Sequence, residues 1–432
     1  MENASSTFQL TNDRAVRPAP RSAAGTTVLF DLSIRGHHPS YLRHLIRYAL
    51  RDGWDRSISI VVSPAFVREH ADVVALTEAC DSIEFVPISE AEFAALPSRH
   101  SKWGRIRRYF DEWNLLRRYA EKLNAAYCVV MYLDTYLFPL ALGASLPCPF
   151  SGIYFRPTFH YGEFVGDRPS RKDRLQRWRE KLVLGQVLQQ QNCHRLLCLD
   201  RLSVDAVDRL SPMAKAVPIP DPLDFQPASP ERIAEIRAEL GIEDRRRVAL
   251  LFGALNERKG VVPLIDSLRQ LSPESCSQLC LLLMGESSIV DRLEAQIAEV
   301  CRERPVQILR KYEFLPEADI PAYFQLCDLV LAPYQRHVGM SGILIWAAAA
   351  GKPVLSSDYG LMGELVRRYD LGIAVDSTKS EEIARGLTQW LLDNNHILCN
   401  KPQLEAFARE NAAEEFSRVI FEAVEEKLNP VA

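Results

Sequence analysis

The chain has 432 residues, with 52 Lys or Arg against 56 Asp or Glu, for a formal net charge of −4. That length predicts two or three domains, and a composition 47% hydrophobic and 25% charged excludes wholesale disorder, a collagen, a mucin and a coiled-coil rod. Ten cysteines without a C-x-x-C pair read as buried thiols of a reducing compartment, not as a disulfide framework or a metal site.

Residues 1–24 are polar and lack the apolar core of a secretory signal, so they are expected to be a disordered tail. Residues 26–31 form a short apolar run, followed by Arg35-Gly36-His37-His38-Pro39 and a helix-like stretch at 40–51. This strand, loop and helix unit recurs, with strands at 57–63 and 82–87 and helices at 64–80 and 103–124. Apolar runs at 127–132 and 150–155 add two strands. The most apolar long stretch, 128–150, contains Asp134 and three prolines, so no bilayer span is expected.

A second series begins near 246, with apolar runs at 247–252, 279–284, 306–309, 329–332 and 353–356 separated by helix-like segments. Such alternation predicts parallel sheets covered on both faces. The expected fold class is α/β, with two doubly wound Rossmann-like domains facing a central cleft. The expected domains are 25–216 and 225–395, joined by a linker at 217–224 stiffened by Pro218, Pro220 and Pro222. The remaining residues, 396–432, read as C-terminal helices that pack back on the N-terminal domain.

In open parallel sheets the ligand crevice lies beyond the carboxyl ends of the strands. Gly253-Ala254-Leu255-Asn256-Glu257-Arg258-Lys259-Gly260 follows a strand there, bringing two adjacent cations and two glycines that suit a phosphate. His337-Val338-Gly339-Met340-Ser341-Gly342 precedes a helix-like run, where free backbone N–H groups suit a second anion; a helix cap at Ser341 is the simpler alternative.

In these residues the C-terminal half resembles the group 1 glycosyltransferases, a retaining family of the GT-B fold. The likeness runs from the loop 251–260 through residues 319–333 and the Ala-rich helix that closes in Gly351-Lys352-Pro353-Val354, then on through 357–366. It implies a glycosyltransferase moving a sugar from a nucleotide diphosphate sugar to an acceptor held by the N-terminal domain, with retention and without metal or other cofactor. By the resemblance, Gly36, Gly253, Arg258, Lys259, Ser341 and Gly342 would bind the donor diphosphate. Tyr312, Phe314, Leu315, Gly339 and Glu364 would face the base or sugar.

Two departures stand out. Ala254 occupies the place where the family often has arginine, and Val338 and Trp346 occupy the places of two glutamates. They support an alternative, a catalytically degenerate homologue that binds a nucleotide sugar or a partner without turnover. An epimerase or phosphorylase of the same fold is a rival among enzymes. On the N-terminal side, His37 and His38 could stabilise leaving-group charge. Arg156 could act as a fixed cation and His160 as a polar contact to the sugar.

Residues 99–122 hold eight Lys or Arg against three Asp or Glu, and 168–181 hold seven against two, with aromatics interleaved. No nucleic-acid module accompanies them, so a peripheral anionic membrane contact is the expectation and solvated helix faces the alternative. The acceptor is then a glycan, a lipid-linked molecule or a small molecule. The expected location is cytoplasmic, at the inner face of the membrane.

Overall fold

A computed structural model describes residues 25–164, 169–392 and 398–429. The expected tail at 1–24 lies outside the described residues. The first domain contains β1 (Thr26–Asp31), β2 (Ile58–Val62), β3 (Ile83–Pro87), β4 (Ala125–Val130), β5 (Phe150–Tyr154), β6 (Cys193–Cys198) and β7 (Ala216–Pro218). They form one sheet in the order β3-β2-β1-β4-β5-β6-β7, and every pairing in it is parallel. The second domain contains β8 (Arg247–Phe252), β9 (Leu279–Met284), β10 (Gln307–Lys311), β11 (Leu329–Ala332), β12 (Val354–Ser357) and β13 (Gly372–Val375). These pair in parallel in the order β10-β9-β8-β11-β12-β13.

Both sheets are doubly wound, as the alternation predicts. β1 and β9 are buried along their whole length, which is why VLF in β1 and LCLLLM in β9 read as continuous apolar runs. Helices cover each face of the first sheet: Tyr41, Leu45 and Phe66 pack on one side, and Trp113, Leu140 and Leu184 on the other. Reversal of the strand order leaves a crevice between β1 and β4 in one sheet and between β8 and β11 in the other.

Several elements differ from the sequence reading. The helix expected at 64–80 is two short helices, Pro64–Glu69 and Ala71–Ala75, because His70 between them leaves the helical region with φ −124° and ψ 47°. The strands β6, β7 and β13 have no counterpart in the reading. The start of the expected linker forms β7, where Pro218 is tolerated because the strand lies at the sheet edge. Beyond it, Asp221 accepts a hydrogen bond from the Tyr41 hydroxyl at 2.5 Å, tying the linker to the first helix.

The helix Ala413–Leu428 crosses back to the first domain. Phe416, Ile420 and Phe421 join its core, with Phe416 4.8 Å from the Tyr41 ring and Phe421 stacked on Tyr48 at 5.6 Å. In the other direction, Tyr161 follows β5 yet is buried in the core of the second domain, where its hydroxyl accepts the Gly339 N–H at 2.9 Å.

Candidate active site

A cleft of about 1240 Å³ separates the two domains, with walls built from strand-end loops on both sides. The loop after β8 is held by its own hydrogen bonds. Asn256 caps the short turn Glu257–Lys259 through the Lys259 N–H, and Gly260 ends it in the left-handed region at φ 74°. A Cβ at Gly260 would lie 1.9 Å from the Pro333 carbonyl oxygen, so only glycine lets this loop press against the segment after β11. The Gln335 N–H completes the join by donating to the Arg258 carbonyl at 2.8 Å.

This packing aims Lys259 into the cleft. Its ammonium lies 4.2 Å from the centre of the Tyr334 ring and donates to the Tyr334 hydroxyl and, at 3.4 Å, to the Phe252 carbonyl. Arg258 lies 3.3 Å from the Nδ1 of His337. Burial, aided by Arg258, Arg156 and Lys259, pushes the His337 pKa down to about 4, so the imidazole is neutral among three cations near neutral pH. Arg156, after β5, lines the opposite wall. None of Arg156, Arg258 and Lys259 forms an ion pair with a carboxylate among the described residues.

Gly339, Ser341 and Gly342 also line the cleft. Ser341 makes no cap bond; the helix Ile343–Ala349 begins at Gly342, and the Ser341 hydroxyl turns to Tyr334 Oη at 3.4 Å. With seven residues this helix contributes a weak end charge, so side-chain cations dominate the local field. Val338 and Trp346 make part of the wall apolar, Trp346 stacking on Phe324 at 5.3 Å and meeting Phe225 edge-on at 5.7 Å.

His37 lines the same cleft from the start of the helix His38–Arg51. It stacks on His38 and Phe155 at 4.4 and 4.6 Å. Burial first, then His38 and Arg156, push its pKa down to about 3. His38 turns away from the cleft, with its Nδ1 2.7 Å from Asp31 Oδ2, and lines a second cavity of about 240 Å³ beside β1 and β4.

Other expected site residues lie elsewhere. His160 is sealed in the interior, 2.9 Å from the Asp200 carboxylate and ringed by Phe159, Tyr161 and Phe164, because the chain dives there to deliver Tyr161 to the second domain. It does not line the cleft. Tyr312 donates to Glu294 at 2.7 Å, Leu315 is in the core, and Phe314 projects to solvent; the next turn, at Glu317 and Ala318, reaches the cleft instead. Glu364 faces Arg367 and Arg368 at 3.4 Å on its own helix and does not line the cleft. Gly36 forms an exposed left-handed turn before His37, and Gly253, also left-handed, backs the Lys259 ammonium, which a Cβ there would approach to 3.2 Å. Tyr334, the partner of Lys259, was missed; its place directly after Ala332-Pro333 at a strand end was the available signal. Asp31, the last residue of the first strand, was missed for want of its partner His38.

Two facing doubly wound domains with a cleft between them define the GT-B fold. Residues 232–414, less than half of the chain, match the family model described as glycosyl transferases group 1. Among curated relatives, YtcC of Bacillus subtilis, named as a glycosyltransferase, is 29% identical over 171 residues, 38% of this chain and 40% of its own length. Alpha-maltose-1-phosphate synthase of Mycobacterium tuberculosis is 26% identical over 146 residues, 33% of this chain and 36% of its own. The chain thus spans less than half the length of these relatives. Over the whole fold it is similar to HepE of Anabaena, solved in complex with UDP and glucose, with a TM-score of 0.64 and 18% identity over 93% of this chain and 100% of that one.

Proposed function

We propose that this chain is a glycosyltransferase that moves a sugar from a nucleotide diphosphate sugar, bound in the interdomain cleft, to an acceptor held by the first domain. The observation that carries this reading is the convergence of Arg156, Arg258 and Lys259 on one cleft from both domains, with no carboxylate paired to any of them among the described residues. Fixed cations in a partly dry cleft stabilise the charge that develops on a departing diphosphate. They can take the place of a metal there, and the family resemblance supports retention of configuration. The solved complexes of HepE with UDP and with UDP-glucose support a donor of this class. Calorimetry against UDP-, GDP- and ADP-sugars tests the reading: saturable binding of one donor, with nucleotide released when acceptor is present, is expected. A chain that binds none of them is not this enzyme. Binding without turnover would favour the degenerate alternative, which rests on Val338 and Trp346. NMR of the product reads the anomeric outcome.

The surface of the first domain supports a cytoplasmic protein attached to an anionic membrane. Among the described residues no helix is long and apolar enough to cross one. The neighbouring helices Lys102–Lys122 and Arg171–Leu188 expose Trp103 (82%) and Trp178 (57%), together with Leu175 and Leu182, and Leu142 (64%) is exposed at the C-terminal cap of the helix Leu137–Ala141 between them. Arg105, Arg107, Arg171, Lys172 and Arg174 are exposed beside them. Arg108 is not available, since it donates to Glu112 at 2.6 Å and to the Pro97 carbonyl. Exposed aromatics among cations suit a lipid interface, each cation being worth about 1 kcal/mol on an anionic surface. Co-sedimentation with anionic but not neutral vesicles, reversed by salt, is the expected result.

A further inference from the structure

The second cavity lies at the switch point of the first sheet, between the carboxyl ends of β1 and β4, where open parallel sheets place their ligands. We infer that it is the acceptor pocket and that it receives one uncharged pyranose, the terminal sugar of the acceptor. This inference rests on the glycosyltransferase reading of the main cleft.

Size sets the first limit. About 240 Å³ is many times the roughly 10–15 Å³ that one water needs by this measure, room enough to seat a single pyranose with its hydroxyls. Charge sets the second. Asp31 and Glu112 both line the cavity, and both are buried carboxylates already held by the protein. Asp31 accepts from the Ser33 N–H at 2.9 Å and meets His38 Nδ1 at 2.7 Å. Glu112 accepts from Arg108 at 2.6 Å, Arg99 at 3.1 Å and the Tyr136 hydroxyl at 3.1 Å.

A phosphate or carboxylate entering here would meet Asp31 and Glu112 as well as Arg99 and Arg156, and an amine would find both carboxylates already engaged by His38, Arg99 and Arg108, so neither sign of charge is favoured. A polyol meets neither obstacle. Its hydroxyls can donate to the spare lone pairs of the carboxylates and accept from Arg99 and Thr135, while Tyr132, packed on Phe155, adds an aromatic residue to the lining. His38 has its Nδ1 engaged by Asp31, leaving Nε2 as the nitrogen a sugar hydroxyl can address.

Position is the third argument. His37 and Arg156 line both this cavity and the interdomain cleft, so they form a common wall between acceptor and donor. A sugar seated against them has its hydroxyls next to Arg156, one of the cations that face the diphosphate, the proximity a transfer between two bound substrates requires.

The test uses the full chain and saturation-transfer NMR with methyl glycosides of glucose, galactose, mannose and N-acetylglucosamine, and with glucose 6-phosphate and glucuronic acid as charged counterparts. At least one neutral glycoside should bind, and both charged sugars should bind more weakly. Thr135→Trp, which fills the cavity, should weaken that glycoside by about tenfold or more, and the milder Thr135→Val by about threefold, while binding of nucleoside diphosphates in the cleft is unchanged. The inference is overturned if no neutral glycoside binds, if a charged sugar binds more tightly, or if neither Thr135 variant alters binding. Failure of the donor reading looks different: no nucleotide sugar binds the wild-type chain, whatever the glycosides do.

Discussion

The crevice beside β8 and β11 and the cavity beside β1 and β4 occupy equivalent places in two sheets wound the same way, yet their chemistry is opposite. The first is wide and open to the partner domain; Arg43 and Arg47 in its lining are paired with Asp72, Glu317 and Asp224, but Arg156, Arg258 and Lys259 have no carboxylate partner among the described residues. The second is small, and each carboxylate in it is matched by a donor from its own domain. Topology therefore fixes where a ligand sits, and the loops decide what kind: unbalanced charge suits a diphosphate, and balanced charge suits hydroxyls.

The largest test of this contrast is Lys259→Ala. Removing a preorganised cation from the leaving-group side should cost on the order of 3 kcal/mol, about a hundredfold in kcat/KM for donor consumption, with circular dichroism unchanged. An active, folded variant would erase the cationic half of the comparison. Next is Gly260→Ala, which forces a side chain into a left-handed turn 1.9 Å from a carbonyl oxygen. Strain of about 1–3 kcal/mol should lower the urea midpoint and loosen donor binding together, because the two loops of the cationic side are pressed together there.

A third test concerns the wall shared by both sites. His37 has a pKa of about 3 in the fold, against ~6.5 for an unperturbed imidazole. The unfolded chain therefore binds its proton first, and stability is lost as pH falls from about 6.5 toward 3. At about pH 5 the loss from this residue reaches up to about 2 kcal/mol, so His37→Gln should flatten the decline in urea midpoint between about pH 7.5 and 5. An unchanged slope would mean that the ring is not held neutral. Smallest is Glu364→Gln: paired with arginines outside both sites, it should change stability by less than about 0.5 kcal/mol and leave donor KM as it was.

The cationic side was largely legible in the sequence, because its residues are contiguous: Gly253 to Gly260 and His337 to Gly342 each carry their chemistry within one loop. The balanced cavity was not. Asp31, Arg99, Glu112 and Thr135 come from four segments, and the value of Glu112 appears only when the helix Lys102–Lys122 turns it inward to 1% exposure. In the sequence it is one acid in a basic helix. The strand β6 was hidden for a related reason. Its polar start, His194-Arg195, breaks the apolar pattern, and the partners that make it tolerable are distant: Tyr127 for His194, and Glu426 near the chain end for Arg195. His160 misled in the opposite sense, since a histidine after a strand looks the same in sequence whether it faces a cleft or is sealed against Asp200.

The return of the helix Ala413–Leu428 to the first domain has a consequence in time. The first sheet is complete once Pro218 has been synthesised, but Phe416, Ile420 and Phe421, which close one face of its core, follow about two hundred residues later. At 5–20 residues per second this is on the order of ten to forty seconds during which Tyr41, Tyr48 and Trp54 lack their cover. The nascent first domain thus carries an uncovered apolar face until that helix has been made, and a fragment ending near residue 220 would carry the same face permanently.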